Sequence, residues 1–427
     1  MSVLRNHDIR YRQYIQILQE ELRPAMGCTE PIAIAYAAAK VRAVLGRLPE
    51  RLLVQVSGNI IKNVKSVVVP HTGGLRGIGA AAAAGTVAGN ADAELEVLAS
   101  VTEEQIAAMA AFLKNTPIEV QHADTGHIFD IQITGFAGSD SAFVRIVDYH
   151  TNVVSIQRNG EMLLDQKIVT REGELTDRSC LTIEGIVDFA DSVDIEDVQE
   201  LLERQIEYNM AIAEEGLRNS YGANIGKTVL RGRERDINCR MRAWAAAGSD
   251  ARMNGCEMPV VINSGSGNQG ITASVPVIVY AREMGKGREE LLRALCVSNL
   301  VTIHLKTGIG RLSAYCGAVS AGCGAGAGIA YLKGGRFDMI AHTVENAVAV
   351  DSGIVCDGAK ASCAAKIALA VDAGLLGLAM YEDGSQFFGG DGIVKCGVEN
   401  TIASVGRLAR FGMEETDKEI IRLMMEN

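Results

Sequence analysis

The segment 317–328 places the tightest limit on how this chain can fold. It runs Gly-Ala-Val-Ser-Ala-Gly-Cys-Gly-Ala-Gly-Ala-Gly, so five of its twelve residues are glycine and none is larger than valine. Each glycine destabilises an isolated helix by roughly 1 kcal/mol relative to alanine. Side chains this small suit a segment that its neighbours approach very closely. We therefore expect this segment to pack tightly inside a helical domain, and the 5% aromatic content agrees with that.

Helical signals dominate both ends of the chain. Apolar residues recur at helical spacing over residues 11–22. A second helix is predicted from Thr29 to about Leu45, because threonine is a good N-cap and Pro31 is favoured in a first turn. From Cys180 onward strand signals fade, and helical periodicity continues to the C-terminus.

The middle of the chain predicts a sheet. Residues 102–105 form a capping box that begins one helix there, and Asn159-Gly160 is a strong hairpin signal. The predicted strands are 52–56, 64–69, 118–121, 127–133, 142–147, 153–157 and 161–166.

These patterns together predict an α+β fold in three parts. Residues 1–49 should form N-terminal helices that pack on the main helical domain. Residues 50–170 should form a smaller, inserted α+β domain with an antiparallel sheet. Residues 171–427 should form the main, all-helical domain that carries the chemistry.

Composition argues against several classes of protein. The 427 residues are 48% hydrophobic, which is enough for a sizeable core. A net charge of −11 without a long Lys/Arg run argues against nucleic acid or an anionic membrane as partner. The N-terminus is polar, and no uninterrupted run of 18 apolar residues predicts a membrane span. Ten cysteines without a signal peptide are expected to be reduced thiols in the cytoplasm.

Three cysteines are the main candidates for metal binding. Cys356 and Cys363 share the stretch 353–363, and Cys316 lies forty positions upstream of Cys356. Cys356 and Cys363 are too far apart for the C-x₂₋₄-C knuckle of structural zinc, and the chain has no Cys-x-x-Cys pair. Three thiolates can hold an iron–sulfur cluster and leave one iron free as a Lewis acid. The residues alone also allow three buried core cysteines, or Cys323 as the first ligand.

Cys28 comes directly before the second predicted helix. Unpaired N–H groups and the helix dipole at such a position favour a thiolate. A thiolate can act as a nucleophile or as a base. The alternative is a structural cysteine in a turn.

Residues 263–270, here called the glycine loop, read Asn-Ser-Gly-Ser-Gly-Asn-Gln-Gly. Such a donor-rich loop before a helix can hold a carboxylate or a phosphate. Its Gly-x-Gly-x-x-Gly spacing follows no βαβ unit, so we reject dinucleotide binding. The alternative is an ordinary flexible turn.

Two weaker candidates are polar segments close to predicted element ends. His150-Thr151-Asn152 follows a predicted strand, where a lone histidine is more often structural. Residues 249–254 could cap a helix or line a pocket.

These motifs resemble those of the L-cysteine desulfidase (UPF0597) family, relatives of the iron–sulfur L-serine dehydratase alpha chain. The resemblance runs from about residue 10 to the C-terminus, and the glycine loop with the cysteine trio is its most specific part. The matching elements are Cys28 in Gly-Cys-Thr-Glu-Pro, residues 263–273, Arg-Leu-Ser-Ala at 311–314, His150-Thr-Asn152, and Cys356-Asp-Gly-Ala with Ser362-Cys363.

The resemblance implies an oxygen-sensitive [4Fe–4S] cluster on Cys316, Cys356 and Cys363, and no pyridoxal phosphate. It implies that Cys28 is the catalytic base, because the bacterial serine dehydratases carry a catalytic histidine at that place. Those dehydratases supply a further cysteine at their C-terminus, which residues 422–427 lack. That departure fits a fourth iron that is open to substrate. The expected substrate-binding residues are Ser264, Gly265, Ser266, Gly267, Asn268, Gln269, His150, Thr151 and Asn152.

The expected activity is β-elimination of L-cysteine to pyruvate, ammonia and hydrogen sulfide. Two alternatives stand beside it: the same chemistry on L-serine or another β-substituted amino acid, and a non-enzymatic iron–sulfur redox sensor. We expect a cytoplasmic protein whose partner is a small amino acid, without nucleic acid or membrane. The sequence leaves a homo-oligomer open.

Overall fold

The computed structural model describes residues 8–26, 29–168, 175–310 and 313–426, and it confirms the α+β class. The described helices are α1 Ile9–Glu21, α2 Thr29–Leu45, α3 Gly58–Val64, α4 Gly77–Ala88, α5 Glu103–Asn115, α6 Ile183–Ser192, α7 Glu196–Arg218, α8 Ile225–Leu230, α9 Ile237–Met253, α10 Gly267–Glu283, α11 Arg288–Ile309, α12 Gly317–Leu332, α13 Phe337–Asp351, α14 Cys363–Glu382, α15 Val398–Arg407 and α16 Glu414–Met425. The described strands are β1 Pro24–Met26, β2 Arg51–Val56, β3 Ile118–His122, β4 Asp130–Ala137, β5 Asp140–Val147, β6 Val153–Arg158, β7 Glu161–Asp165 and β8 Pro259–Val261.

The six strands β2 to β7 form one sheet in the order β3-β2-β4-β5-β6-β7. Four neighbouring pairs are antiparallel, as expected, but β2 and β3 are parallel, so the sheet is mixed. The parallel pair follows from the chain path, because α3, α4 and α5 lie between these two strands and provide the crossover that parallel pairing needs. Asn159 and Gly160 have φ values of 52° and 82°, which confirms the predicted hairpin turn between β6 and β7.

Most predicted elements are confirmed to within a few residues, and the clearest error is the strand predicted over 64–69. Val64 instead ends α3, and only Val68 forms an isolated bridge, to Arg76. A short apolar run cannot be assigned to strand or helix from its periodicity alone.

The two N-terminal helices belong to different cores. Tyr14 of α1 packs against Phe189 in the larger helical core, as expected. Helix α2 instead packs in the smaller core, where Ala38 and Val41 lie with Ile133 of the sheet. The expectation that residues 1–49 pack wholly on the main domain is therefore wrong for α2. The domain borders themselves stay a prediction.

Helix α12 runs through the middle of the larger core, and every residue from Ala318 to Leu332 is buried. A Cβ atom added at Gly322 would lie 2.2 Å from the carbonyl oxygen of Ala370 in α14. One added at Gly324 would lie 2.1 Å from Oγ1 of Thr302 in α11. The small residues of segment 317–328 therefore allow α11 and α14 to approach α12 directly, which confirms the prediction made for that segment.

Helix α14 is long and apolar enough to cross a membrane by length and composition, with a mean hydropathy of 1.7. Half of this stretch is buried inside the fold, where Ala370 and Gly374 contact α12. A core helix of a globular protein meets the same criteria, so α14 is weak evidence for a membrane span.

Two long-range contacts bring distant parts of the chain together. Strand β1 pairs antiparallel with β8, so the start of α2 lies beside the glycine loop that follows β8. At the other end of the chain, Asp417 of α16 forms an ion pair with Lys62 of α3. The first contact joins the N-terminal segment to the larger core, and the second joins the C-terminal helix to α3 of the smaller core.

Candidate functional site

A cavity of about 140 Å³ lies where the glycine loop, the N-terminus of α12 and the start of α2 meet. That volume holds roughly five water molecules at about 30 Å³ each, which suits a small metabolite. The structure brings together most of the predicted site residues here. Those that line the cavity are Ser264, Gly265, Ser266, Asn268, Gln269, Cys316, Cys356 and Cys363.

The glycine loop turns sharply before it enters α10. Ser264 and Gly265 have φ values of 50° and 78°, and Asn263 pairs with Ser266 across the turn. A serine in this left-handed region is uncommon and is held there by its surroundings. The side chain of Ser266 does not cap the first turn of α10, so the N–H groups of that turn have no side-chain partner among the described residues, and this helix N-terminus faces the cavity. Such groups bind anions.

A buried amide network fixes the loop from beneath. Asn263 donates through Nδ2 to Oδ1 of Asn299 at 2.9 Å, and Asn299 donates to Oε1 of Gln205 at 2.7 Å. The hydroxyl of Ser264 donates to Oδ1 of Asn263 at 2.8 Å. All of these side chains are buried. Because each donor has a partner, the network holds the loop in one conformation before any ligand binds.

Gly267 was predicted to bind substrate, but it does not line the cavity. A Cβ atom at this position would lie 2.3 Å from Nε of Arg252. Arg252 itself lines the cavity, and its Nη1 lies 3.4 Å from Oδ1 of Asn268. Gly267 therefore makes room for an arginine, which is a packing role.

A short backbone bridge sets Cys316 and Cys356 side by side. The N–H of Cys316 donates to the carbonyl oxygen of Ile354 at 3.1 Å. The N–H of Cys356 donates to the carbonyl oxygen of Ala314 at 2.5 Å. Between them, Tyr315 and Val355 form an isolated antiparallel bridge. Forty residues of chain thus close on themselves so that both sulfur atoms face one cavity.

Two of the three cysteines lie at helix N-termini. Cys316 is the N-cap of α12, and Cys363 is the first residue of α14. Gly358, on the segment between Cys356 and Cys363, has φ 91°, and a Cβ atom there would lie 1.7 Å from the carbonyl oxygen of Lys62. Only glycine fits at that close approach. The helix dipoles at this end of the cavity favour negative charge on sulfur.

Electrostatics around Cys356 favour its thiolate. The thiol of Cys316 donates a hydrogen bond to Cys356, which lowers the pKa of Cys356 well below its usual range. Positive charges on Lys62 and Lys306 act in the same direction. This donor role, together with burial, raises the pKa of Cys316, and burial raises the pKa of Cys363.

This donor set fits an iron–sulfur cluster better than a single metal ion. Within the described residues, no three His, Cys, Asp or Glu side chains converge closely enough to hold one ion. A four-iron cluster makes a different demand, because each thiolate binds a different iron at a corner of the cluster. Three half-buried cysteines around one cavity, with helix N-termini and two lysines beside them, match that demand for anionic sulfur.

Cys28, the predicted base, lies outside the described residues. The next two residues along the chain, Thr29 and Glu30, line the cavity at the start of α2. Pairing of β1 with β8 explains this placement, because it holds the segment before Cys28 against the strand that leads into the glycine loop. The role of Cys28 stays a prediction.

His150, Thr151 and Asn152 do not line the cavity, so the structure does not place these predicted substrate-binding residues at the site. They lie in the connection between β5 and β6. The ring of His150 packs edge-on against Phe129 at 4.7 Å, and Asn152 donates to the carbonyl of Val147 at 2.8 Å. Both contacts are structural ones within the smaller part of the molecule.

Cys323 does not line the cavity either, although the sequence allowed it as a rival first ligand. Cys323 lies on α12 in the larger hydrophobic core with 1% of its surface exposed, and burial raises the pKa of its thiol far above the usual range. It is therefore a core residue.

Sequence reasoning missed the two lysines of the site. Lys62 is 1% exposed and pairs with Asp417, and Lys306 is 6% exposed in the last turns of α11. Burial lowers the pKa of Lys306 to about 8. Neither lysine belongs to a local motif, so no pattern in the sequence could have found them. Arg252 did lie in the segment 249–254, for which the sequence left two interpretations, a helix cap and a pocket wall, and the second applies to Arg252.

Asp351, at the end of α13, gives a testable dependence of stability on pH. Its side chain is 8% exposed, and its Oδ2 has no hydrogen-bond partner among the residues that the structure describes. Burial raises its pKa from 3.8 to about 7. Because the folded protein holds this proton more tightly than the unfolded chain, the contribution of Asp351 to stability is greatest below pH 4 and is lost as the pH rises through about 7.

We expect Asp351→Asn to stabilise the protein at pH 8 by up to about 4 kcal/mol, since a shift of roughly three pKa units sets that limit. The measurement is the midpoint of thermal unfolding from pH 4 to pH 8. The difference between variant and wild type should grow across this range. Asp383→Asn, on the exposed end of α14, is the control and should not change the profile. An Asp351→Asn difference that is independent of pH would contradict the prediction.

The chain is similar to known proteins over nearly its whole length. Residues 92–422 match the family model described as the serine dehydratase alpha chain. A UPF0597 protein of Desulfitobacterium hafniense is 59% identical over 427 residues, covering 99% of this chain and 98% of that protein. UPF0597 proteins of Lachnoclostridium phytofermentans and Treponema denticola are 51% and 48% identical, over 97% and 98% of this chain and 100% and 99% of theirs.

Proposed function

Since the chain belongs to the serine dehydratase alpha chain family and is one of its UPF0597 members, we propose that it is an iron–sulfur-dependent lyase that acts on L-cysteine. Family membership gives the dehydratase-like reaction class, and the substrate is our proposal. In the proposed β-elimination, L-cysteine and water give pyruvate, ammonia and hydrogen sulfide. The reaction needs no pyridoxal phosphate.

One observation carries this proposal: the cysteine trio and the glycine loop line the same small cavity. A redox sensor needs cluster ligands but no loop that binds a carboxylate. An enzyme needs the cluster ligands and the carboxylate-binding loop to lie within the length of one substrate molecule. The shared cavity therefore favours catalysis over sensing.

Cys316, Cys356 and Cys363 would hold the [4Fe–4S] cluster. When bound, a cluster with one open iron supplies a Lewis acid, and its softness suits a sulfur leaving group. The cluster would lie between the N-termini of α12 and α14, where the helix dipoles and Lys62 stabilise negative charge.

The remaining steps belong to residues of the chain itself. The free N–H groups at the start of α10 hold the substrate carboxylate. The thiolate of Cys28 takes the proton from Cα onto its sulfur. The electron pair of that C–H bond forms the Cα=Cβ double bond, and the Cβ–S bond breaks to release hydrosulfide. The 2-aminoacrylate that leaves becomes an imine, which water hydrolyses to pyruvate and ammonia.

L-Serine is the second candidate substrate, because the matching family model is that of a serine dehydratase. The same residues would then eliminate hydroxide in place of hydrosulfide. The soft character of iron–sulfur sites favours a thiolate leaving group, and this is why we propose L-cysteine.

The test is to measure pyruvate and sulfide from protein reconstituted with iron and sulfide under anaerobic conditions. With L-cysteine, we expect equal amounts of pyruvate and sulfide. With L-serine at the same concentration, we expect much less pyruvate. If only L-serine gives pyruvate, L-serine is the substrate and the assignment of L-cysteine is wrong. If neither amino acid gives pyruvate, the proposed function is refuted.

A further inference from the structure

Lys306 is a buried cation at the wall of the cavity. It lies in α11, only 6% of its surface is exposed, and that part faces the cavity. Its side chain reaches a wall that also carries Cys316 and the glycine loop. The proposed mechanism does not yet use it.

The positive charge of Lys306 acts on the sulfur atoms of Cys316 and Cys356, but it has no carboxylate partner within the part of the chain that the structure describes. No carboxylate or carbonyl there forms an ion pair or a hydrogen bond with its ammonium. The other cavity lysine differs, because Lys62 is paired with Asp417. An ammonium group buried without an anion is strongly destabilising. Beside Lys306 the cavity therefore has room for a carboxylate in addition to the thiolate of Cys356.

A second group in the cavity lacks a partner and has the opposite character. Oε1 of Gln269 is buried and accepts no hydrogen bond from the described residues. Gln269 lies in the first turn of α10, and its amide packs against Gly317 next to Cys316. The cavity thus offers a cation without a carboxylate partner, an acceptor without a donor among the described residues, and a helix N-terminus that its N-cap side chain leaves open. These are complementary to the carboxylate and the ammonium of one amino acid.

We propose that Lys306 binds the α-carboxylate of the substrate together with the N-terminus of α10, so that the site accepts only amino acids with a free carboxylate. One carboxylate oxygen takes the N–H groups of the first turn, and the other takes the ammonium of Lys306. Oε1 of Gln269 accepts from the substrate ammonium. This inference rests on the proposed function, because it assigns the substrate contacts of that same site.

The test uses two unreactive probes, L-2-aminobutyrate and L-2-aminobutyramide. Both resemble L-cysteine with a methyl group in place of the thiol, and they differ only in the carboxylate. Their affinities are measured by calorimetry for reconstituted wild type, Lys306→Met and Lys306→Arg. We expect wild type to prefer the acid, and Lys306→Met to lose about 10–100-fold of that preference. Lys306→Arg keeps the charge and should retain part of it.

Iron content and thermal stability complete the test. Methionine has a similar length and removes a buried charge that has no carboxylate partner, so Lys306→Met should fold with an unchanged or higher midpoint of unfolding. It should also bind as much iron as wild type. Lys333→Met, at an exposed ion pair with Glu382, is the control and should keep the wild-type preference.

The outcomes separate this inference from the proposed function. If Lys306→Met loses affinity for L-2-aminobutyrate but not for L-2-aminobutyramide, the result supports the role of Lys306 in binding the carboxylate. Equal loss for both probes would show that Lys306 only shapes the cavity, and loss of iron would show that it balances the charge of the cluster; either result overturns the inference and leaves the lyase proposal standing. If wild type binds neither probe, the proposed function fails as well.

Discussion

Replacing Cys356 with alanine is expected to abolish iron binding. The three cysteines that line the cavity are the complete set of described cysteines there, so loss of Cys356 leaves two thiolates for the cluster. Cys363→Ala should have the same effect. The measurement is the iron and acid-labile sulfide content after anaerobic reconstitution, with the absorption spectrum recorded alongside.

Cys323→Ala is the matched control for this loss. Cys323 lies in the same part of the chain, but it is buried in α12 away from the cavity. The variant should bind as much iron per folded molecule as wild type. An iron content in Cys356→Ala that equals that of wild type would show that the cluster ligands are assigned wrongly.

Cys28→Ser is expected to lower turnover about 10²–10⁴-fold while the protein keeps its cluster and still binds substrate. A hydroxyl has nearly the size of a thiol, but it is far too weak an acid to supply an anion at neutral pH. The direct measurement is exchange of the α-proton of L-cysteine with deuterium from solvent, because it reports the base and no later step. Exchange should fall as far as turnover does.

Cys180→Ser is the control for this change, since Cys180 is partly exposed and does not line the cavity. It should leave both turnover and exchange unchanged. Undiminished exchange in Cys28→Ser would mean that another group removes the proton. A changed cluster spectrum in Cys28→Ser would instead make Cys28 a fourth ligand to iron.

Local physics determined the elements of this fold. The capping box at Thr102 and Gln105 is formed as predicted, and it begins α5. The strands predicted at 127–133 and 142–147 match β4 and β5 within a few residues, because apolar residues alternate along both strands and one face of each is buried. The strand predicted over 64–69 failed for the converse reason, since a short valine-rich run carries no periodicity that separates strand from helix.

The pairing of distant segments was beyond local reasoning. Neighbouring strands predict hairpins, so the parallel pair of β2 and β3, separated by three helices, was missed. Helix α2 was assigned to the wrong core, because its alanine-rich sequence is buried on nearly all sides and shows no face that would indicate a partner.

Residue type and spacing alone identified the chemically active parts of the site. The cysteines and the glycine loop carry functional groups whose chemistry is recognisable in any order of the chain, and all three cysteines line the cavity. His150 was predicted to bind substrate, but its ring packs on Phe129 in the smaller core. A residue type therefore shows what a side chain can do, and its position in the fold decides whether it does so.

Only the tertiary structure decided the electrostatics of the site. Lys62 and Lys306 are separated by more than two hundred residues, belong to no motif, and resemble surface lysines in the sequence. Packing buries both beside Cys356, and α16 neutralises only Lys62. The free energy of a charge depends on its burial and on the charges around it, and long-range packing sets both of these.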